Sequence, residues 1–280
     1  MIMKRWFAVI GDPIAHSKSP AMHNGWFDEM NIDATYIPIH VKSEQLEHAI
    51  ASLKTLGASG WNVTIPHKQA IIPFLDELDE MAEKMGAVNT VVRTADGKLK
   101  GYNTDGPGFV HSLEEAVGDG QKEKPVLLIG AGGAARGIAF ALQYYGYRNL
   151  AITNRTVAKA EEIIHELGEG QALSLADAEQ RLDEFGIIIQ CTSAGLANGE
   201  FSLPLSLEKL QQGTIVADIV YNPLMTPFLL EAQKKDAIVV TGLGMFVHQG
   251  AIAFNHWLGQ YPNTEHTTKK LIDELQVTTC

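Results

Sequence analysis

The stretch Val126-Leu-Leu-Ile129-Gly130-Ala-Gly132-Gly133-Ala134-Ala135-Arg136-Gly137 decides the fold of this chain. Four apolar residues typical of a buried strand run into a glycine-rich turn, and a helix-forming sequence follows. The frame Gly130-x-Gly132-x-x-Ala135 matches the dinucleotide-binding fingerprint in its Gly/Ala form. Gly130 allows the tight turn, Gly132 lets the backbone approach a pyrophosphate, and Ala135 lets the helix pack close to the strand. The free N–H groups at the helix start can then bind phosphate.

Strand-like and helix-like stretches alternate on both sides of this turn. In the second half, the short apolar and β-branched runs that predict strands are Val126–Ile129, Leu150–Thr153, Ile187–Cys191, Thr214–Ile219 and Ala237–Val240, with Gln171–Ser174 as a weaker candidate. In the first half they are Arg5–Ile10, Thr35–His40, Gly60–Ile65 and Ala87–Val92, followed by a hairpin turn at Asp96-Gly97 before Lys98–Tyr102. Helical stretches separate the later strands, so a parallel, doubly wound sheet is the expected fold of the second half.

This alternation predicts an α/β protein of two domains. Residues 1–104 with 243–280 are expected to form an N-terminal α/β domain, and residues 105–242 a dinucleotide-binding Rossmann domain. Two helices are expected after Gly242, at His248–Leu258 and roughly Glu265–Leu275, and they can pack back on the first domain. Ser19, followed by Pro20, is expected to cap the first helix, and a second helix begins at Ser43 and ends at Gly57.

The end of the strand that follows the glycine turn indicates which dinucleotide binds. An NAD site usually carries an acidic residue there, which grips the ribose 2′-hydroxyl. This chain has Asn154, then Arg155, with Lys159 one turn into the next helix. The guanidinium of Arg155 can form a charge-assisted fork to a 2′-phosphate, so NADP is favoured over NAD. The alternative is that Arg155 is only a solvated surface charge.

Composition excludes several other classes of protein. The 280 residues carry a formal net charge of −11, which disfavours binding to nucleic acid. No stretch approaches the ~20 apolar residues that a membrane span needs, and the run Trp6–Ile10 is too short for a signal-peptide core. Cys191 and Cys280 fit reduced thiols in a cytoplasmic protein. The histidines show no metal-ligand spacing, so no metal is expected. The sequence does not give the oligomeric state, and a homodimer is kept open.

The first domain and the far end of the chain contain several more specific motifs. These are Gly11-Asp-Pro-Ile-Ala-His-Ser17-Lys-Ser19-Pro20, Asn62-Val-Thr64-Ile-Pro-His-Lys68, Gly86-Ala-Val-Asn89-Thr90, Gly101-Tyr-Asn-Thr-Asp105-Gly106, Tyr221-Asn-Pro-Leu and Gly242-Leu-Gly244-Met245-Phe-Val-His-Gln249. In this order, from residue 11 to residue 249, they resemble the pattern of the shikimate dehydrogenase family. The whole series is far more specific than any one of its members.

The resemblance implies the reversible reduction of 3-dehydroshikimate to shikimate by NADPH, in aromatic amino-acid biosynthesis. It assigns the substrate carboxylate to Ser17, Ser19 and Tyr221, and the ring hydroxyls to Thr64, Lys68, Asn89, Asp105 and Gln249. Lys68 and Asp105 match the family's catalytic pair. On the cofactor side it points to Gly130, Ala131, Gly132, Gly133, Ala134, Asn154, Arg155, Thr156, Lys159, Ile219 and Gly242, and less firmly to Glu80.

The chemistry of these residue types agrees with that assignment. A polyhydroxylated ring needs many donors and acceptors, which short Ser, Thr, Asn and Gln side chains supply. A ketone that becomes an alcohol takes up a hydride on carbon and a proton on oxygen, and Lys68 is the candidate proton donor. Pro66-His67-Lys68 is typical of a helix start, where the helix dipole disfavours an ammonium, whereas Asp105 would favour it. His67 is expected to be structural. Asp105, before Gly106, could instead be only a helix N-cap.

Two other functions stay open on the sequence. One is an NAD-using quinate/shikimate dehydrogenase, which Arg155 disfavours because it suits the 2′-phosphate of NADP. The other is a non-catalytic NADP-binding regulator, which would have no need of the Lys68/Asp105 pair. Gln190-Cys191 departs from the family pattern at a loop expected to border the cofactor, and Cys191 is expected to be a buried, inert thiol.

Overall fold

The computed structural model of the chain describes residues 4–192 and 205–277, with side chains described up to residue 275. Contacts divide the chain into two compact units, residues 1–104 with 249–267 and residues 105–248 with 268–280. The domain bounds expected from the sequence stay a proposal beside this division. Among the described residues, no helix is long and apolar enough to cross a membrane.

The first unit is built on a mixed six-stranded sheet with the strand order β2-β1-β3-β5-β6-β4. Its elements are β1 (Arg5–Gly11), α1 (Ser19–Glu29), β2 (Ala34–His40), α2 (Leu46–Thr55), β3 (Gly60–Val63), α3 (His67–Ala70), β4 (Glu77–Leu78), α4 (Glu80–Met85), β5 (Thr90–Arg93) and β6 (Leu99–Tyr102). β1 pairs in parallel with β2 and β3, whereas β5 runs antiparallel to both β3 and β6. The carboxyl ends of β1, β3 and β6 and the start of β5 therefore face the same edge of the sheet.

The second unit contains the doubly wound fold that the glycine turn predicts. Its elements, with the last two helices of the chain, are α5 (Asp105–Val117), β7 (Val126–Ile129), α6 (Gly133–Tyr144), β8 (Leu150–Thr153), α7 (Val157–Leu167), β9 (Gln171–Leu173), α8 (Leu175–Gln180), β10 (Ile187–Gln190), β11 (Ile215–Asp218), α9 (Pro227–Gln233), β12 (Ile238–Val240), α10 (Gly242–Leu258) and α11 (Thr264–Val277). All six strands are parallel, in the order β12-β11-β10-β7-β8-β9. The strand order reverses between β7 and β10, which is where ligands bind in such sheets.

The second half of α10 packs into the first unit, as predicted, whereas the part of α11 from residue 268 onward belongs to the second unit. Phe254 lies against Phe27 and Trp26, with ring centroids 5.5 and 5.6 Å apart. The indole of Trp257 donates a hydrogen bond to the carbonyl of Val91 in β5 at 3.0 Å. Gly60 makes room for this indole, because a Cβ there would lie 2.3 Å from its nitrogen.

Several local predictions were wrong, including the starts of two elements: β5 begins at Thr90 and α2 at Leu46. α10 begins at Gly242 and not at His248. Gly244 lies within this helix and permits close packing, since a Cβ there would lie 2.0 Å from Ser112 Oγ on α5. Ser19 is the first helical residue and not the N-cap, a position held by Lys18 without a capping side chain. β4 was missed, since two residues show no periodicity. β3 ends at Val63, before the cis Ile65–Pro66 bond, and not at Ile65.

Candidate active site

The edge of the first sheet where β1, β3 and β6 end and β5 begins, called the site edge below, gathers most of the predicted substrate residues. The backbone N–H of Thr64, just past β3, donates to the carbonyl of Ile10 in β1 at 3.0 Å. Lys68 lies in α3, and its carbonyl accepts from the N–H of Val88 at 2.7 Å. These bonds bring the ends of β1 and β3 and the start of β5 together, with Thr64 and Lys68 half-buried.

His67 anchors the start of the short helix that carries Lys68. Its side chain is fully buried, and its Nε2 lies 2.6 Å from the carbonyl oxygen of Val41. Its backbone N–H also donates to the carbonyl of Thr64 at 2.9 Å. His67 thus fixes the direction in which α3 leaves the sheet, which agrees with the structural role expected of it.

Asn89 lies at the start of β5 and is almost completely buried. Its Oδ1 accepts from the backbone N–H of Thr104 at 2.8 Å and from the hydroxyl of Thr90 at 3.0 Å. Its Nδ2 donates to the hydroxyl of Thr104 at 2.9 Å. The amide plane is therefore held from both ends, so Asn89 meets a ligand in a fixed orientation.

Four residues to which the sequence analysis assigned no role complete this arrangement. A buried chain of hydrogen bonds runs from Tyr36 to Asn62 at 2.6 Å, from Asn62 to Thr90 at 3.0 Å and then into Asn89 and Thr104. Each member donates to the next, a pattern in which the bonds strengthen one another. The signal that could have found Asn62 is a polar residue inside the buried strand β3.

Ser17 and Ser19 lie together at the start of α1, after the end of β1. The hydroxyl oxygen of Ser17 accepts from the backbone N–H of Ser19 at 3.3 Å. Ser19 is buried and Ser17 half-buried. Two hydroxyls at the N-terminus of an 11-residue helix suit a carboxylate ligand, since the helix dipole favours negative charge there.

The dinucleotide loop of the second unit fits the cofactor that the sequence predicts. Gly130 has φ +111°, and a Cβ there would lie 2.8 Å from Thr192. Gly132 caps α6, and a Cβ added to it would meet no atom of the described residues 4–192 and 205–277 within 4 Å, so packing among these residues does not require this glycine. Open space beside free helix N–H groups is what a pyrophosphate needs. Ala131 is half-buried, Gly133 and Ala134 are exposed, and Ala135 is fully buried against the sheet.

The turn after β8 presents the residues expected to contact a 2′-phosphate. Asn154 Nδ2 donates to the carbonyl of Thr156 at 2.9 Å and so braces the turn between them. Thr156 is the N-cap of α7, and Arg155 and Lys159 are both exposed to solvent. Two cations on a braced turn beside a helix start form a local exception to the acidic composition of the chain.

The ends of β10, β11 and β12 lie side by side at the same edge as the dinucleotide loop. The backbone N–H of Ile219 donates to the carbonyl of Gln190 at 3.1 Å. Gly242 packs on the next loop, because a Cβ there would lie 2.4 Å from the carbonyl oxygen of Ile219. The ring of Tyr221 stacks on Phe246 of α10, with centroids 4.9 Å apart, and burial raises the pKa of Tyr221.

At Gln190-Cys191, where the sequence departs from the family pattern, the side chains make contacts with neighbouring residues. The Gln190 side chain is fully buried and bonds to the backbone of Thr192, donating to its carbonyl and accepting from its N–H. Cys191 is a buried free thiol whose pKa is raised by burial and by Asp218, so it is an inert thiol at neutral pH. Cys280 lies outside the described residues.

The remaining predicted site residues are spread over both units. Lys68 belongs to the first unit, whereas Asp105 is the first residue of the second and opens α5. Gln249 is half-buried on α10, where the chain passes back into the first unit. Glu80 forms an exposed ion pair with Lys84 at 2.8 Å in α4. Within the described residues, no group of three or more His, Cys, Asp or Glu side chains could hold a metal ion.

Comparison with known proteins points to one family along nearly the whole chain. The family model described as the shikimate dehydrogenase substrate binding domain matches residues 9–91, shikimate / quinate 5-dehydrogenase matches residues 112–219, and the shikimate 5′-dehydrogenase C-terminal domain matches residues 242–272. Shikimate dehydrogenase (NADP(+)) of Lysinibacillus sphaericus strain C3-41 is 71% identical over 273 residues, which cover 98% of this chain and 99% of that protein.

Two solved structures show the same similarity in three dimensions. A shikimate dehydrogenase in complex with NADP+ is 40% identical and has a TM-score of 0.89, over 97% of this chain and 96% of that one. Shikimate 5-dehydrogenase from Thermus thermophilus, in complex with NADP(H) and shikimate, is 35% identical with a TM-score of 0.85, over 95% and 97% of the two chains.

Proposed function

The chain belongs to the shikimate dehydrogenase family, and from this premise we infer that it catalyses the NADP-dependent, reversible reduction of 3-dehydroshikimate to shikimate. The reaction belongs to aromatic amino-acid biosynthesis. The observation that supports it best is the site edge of the first unit, where Thr64 and Lys68 lie beside the fixed amide of Asn89. The second unit adds a dinucleotide loop in a doubly wound sheet.

The substrate is an anionic, polyhydroxylated ring, and we assign its groups to separate sets of residues. Ser17, Ser19 and Tyr221 are proposed to hold the carboxylate, as neutral donors that suit one negative charge. The ring hydroxyls fall to Thr64, Lys68, Asn89, Asp105 and Gln249. Asn89 supports this assignment most directly, because its amide cannot rotate without breaking several hydrogen bonds at once.

Proton transfer is assigned to Lys68, with Asp105 as its partner. When bound, NADPH supplies the hydride that reduces the carbonyl carbon. The ammonium of Lys68 gives a proton to the carbonyl oxygen as that oxygen gains negative charge, and the amine takes it back in the reverse direction. The carboxylate of Asp105 is proposed to orient the ammonium for this transfer.

The cofactor side rests on backbone and on two cations. The loop Gly130–Ala134 would offer N–H groups to the pyrophosphate, and Ile219 and Gly242 are assigned to the cofactor as well. Asn154 and Thr156 shape the turn that presents Arg155 and Lys159 to the 2′-phosphate. These charges favour NADP over NAD, in line with the NADP(+) named for the 71% identical relative.

The direct test is an assay of NADPH oxidation with 3-dehydroshikimate, run in parallel with NADH and, in the reverse direction, with shikimate and quinate. Fast turnover with NADPH and 3-dehydroshikimate is the expected result. Protein that binds NADPH without ever consuming it would make the chain a regulator. Quinate turnover with NAD at a comparable kcat/KM would make it a quinate/shikimate dehydrogenase.

The cellular location and the oligomeric state of the protein are proposed from less evidence than the reaction. The buried free thiol of Cys191 fits the cytoplasmic location that the sequence predicts. A homodimer is kept as an expectation, and light scattering on the eluting protein tests it.

A further inference from the structure

The loop between β11 and α9 carries two residues of the proposed site. It begins after Asp218, the last residue of β11, and ends at Thr226, the N-cap of α9. Ile219, on the cofactor side, and Tyr221, assigned to the substrate carboxylate, lie within it. Ile219 is held by its own N–H bond to the carbonyl of Gln190, so whatever fixes the rest of the loop bears on Tyr221.

One carboxylate ties both ends of the loop together. Asp218 is 1% exposed, and its Oδ1 accepts from the backbone N–H of Val220 at 2.9 Å. Its Oδ2 accepts from the hydroxyl of Thr226 at 2.7 Å. The same hydroxyl oxygen accepts from the N–H of Leu229 at 3.3 Å and so caps α9. Removing the charge of Asp218 would release the two ends of the loop from each other.

The loop is also packed from its other side, which leaves it few alternative positions. The carbonyls of Ile219 and Val220 would lie 2.4 and 2.7 Å from a Cβ on Gly242, so only glycine permits this approach. The ring of Tyr221 rests on Phe246 at an interplanar angle of 26°. The geometry of Tyr221 thus depends on the bonds to Asp218 at one end and on α10 at the other.

Burying a carboxylate is unfavourable, and this one is held by hydrogen bonds from neutral groups. Desolvation raises the pKa of Asp218 to about 6, although the bonds from Thr226 and Val220 act in the opposite direction. The titratable group that faces it is the Cys191 thiol at the end of β10, which burial keeps neutral. An isosteric amide would avoid the desolvation cost but has one acceptor oxygen and not two, so it could not accept from both Val220 and Thr226.

We propose that Asp218 is a positioning residue for the substrate, which holds the loop of residues 219–225 so that Tyr221 meets the substrate carboxylate. This inference rests on the proposed function, since it needs shikimate as the ligand. Asp218 acts through Val220 and Thr226 and does not itself touch the substrate.

The sign of the pH effect follows from the raised pKa. Above about pH 6 the ionised carboxylate accepts both hydrogen bonds, and below it the added proton removes one acceptor position. KM for shikimate should therefore rise as the pH falls through about 6. Stability runs the other way: a raised folded-state pKa means that ionisation costs stability, which is lost as the pH rises through that value.

The test compares Asp218→Asn, Thr226→Val, Thr226→Ser and Tyr221→Phe in the full-length protein. We expect Asp218→Asn to raise KM for shikimate roughly 5–20-fold, with kcat and KM for NADP changed less than about twofold and with Tm equal to or above that of the wild type. Thr226→Val should also raise KM for shikimate. Thr226→Ser keeps the hydroxyl and should therefore keep the wild-type KM. Adding Asp218→Asn to Tyr221→Phe should raise KM no further, because both changes remove the same contact.

The outcomes separate this inference from the proposed function. A wild-type protein that does not oxidise shikimate with NADP overturns both. A wild type that does so, with an Asp218→Asn variant of unchanged KM and unchanged pH profile, overturns the positioning role alone. A variant that loses Tm and weakens both ligands equally shows that Asp218 is only structural, and this also overturns the inference.

Discussion

The site edges of the two units are built in opposite ways. In the first unit, polar side chains hold one another: Asn89, Thr90 and Thr104 are nearly fully buried and bonded in series. In the second unit, the dinucleotide loop is almost entirely backbone, and Gly132 and Ala134 are exposed to solvent. One edge is a connected network and the other a set of separate groups.

The difference matches what each edge has to recognise. A ring with several hydroxyls requires donors and acceptors at fixed angles, and a buried network fixes them before the ligand arrives. A pyrophosphate is recognised by charge and by N–H groups that the start of a helix supplies in any case. Substitutions in the network should therefore be non-additive, whereas substitutions on the cofactor side should act independently.

The largest expected effect comes from Lys68, which belongs to neither pattern because the role proposed for it is proton transfer. Lys68→Ala should lower kcat by roughly 10²–10⁴-fold with a modest change in KM, the usual range for the loss of general acid–base help. Steady-state kinetics in both directions measures it. Lys68→Arg is the matched control: it keeps the charge but not a proton that can be transferred, so it should be nearly as slow. A Lys68→Ala enzyme with more than half of the wild-type kcat would contradict the assignment.

The next effect tests whether the cofactor loop works through open backbone. Gly132 has φ −92°, and a Cβ there meets no atom in the part of the chain that the structure describes, so Gly132→Asp should fold normally and keep its Tm. Its carboxylate would stand where a pyrophosphate approaches, and KM for NADP should rise roughly 100-fold through like-charge repulsion. KM for shikimate should stay unchanged. Gly132→Ala, which adds the Cβ without the charge, should show a much smaller rise, and equal effects of the two variants would point to steric exclusion instead.

A smaller effect is expected at the turn that presents the cations. Arg155→Ala should raise KM for NADP about tenfold and spare any weak activity with NAD, because only the 2′-phosphate bond is lost. Combined with Gly132→Asp, its effect should multiply, as expected for independent groups. Equal losses with both cofactors would mean that Arg155 shapes the turn and does not select NADP.

The two edges also differ in how far the sequence reveals them. The dinucleotide loop is local, since the strand Val126–Ile129, the glycine turn and α6 follow one another directly, and the rules for parallel sheets then give the strand order. The network of the first unit depends on which strands become neighbours. Asn62 faces Thr90 only because β3 and β5 pair antiparallel in that register. No periodicity within either strand carries that information, so Thr90 was not predicted.

Thr90 is for this reason the sharpest place to test the network, although its effect should be the smallest. Thr90→Val keeps the shape but removes one of the two acceptors of Asn62 Nδ2, the hydroxyl at 3.0 Å, and leaves only the Asn89 carbonyl at 3.2 Å. It also removes one of the donors to Asn89 Oδ1. The free energy of unfolding should fall by about 1–3 kcal/mol, the cost of buried polar groups that lose their partners. Because Asn89 would also lose part of its orientation, KM for shikimate should rise roughly 3–10-fold at unchanged KM for NADP. Thr90→Ser restores both bonds and should recover the KM even where it does not recover all of the stability. If the valine variant lost stability with no change in KM, the chain of hydrogen bonds would support the fold of the first unit without orienting Asn89, and the contrast between the two edges would be one of architecture alone.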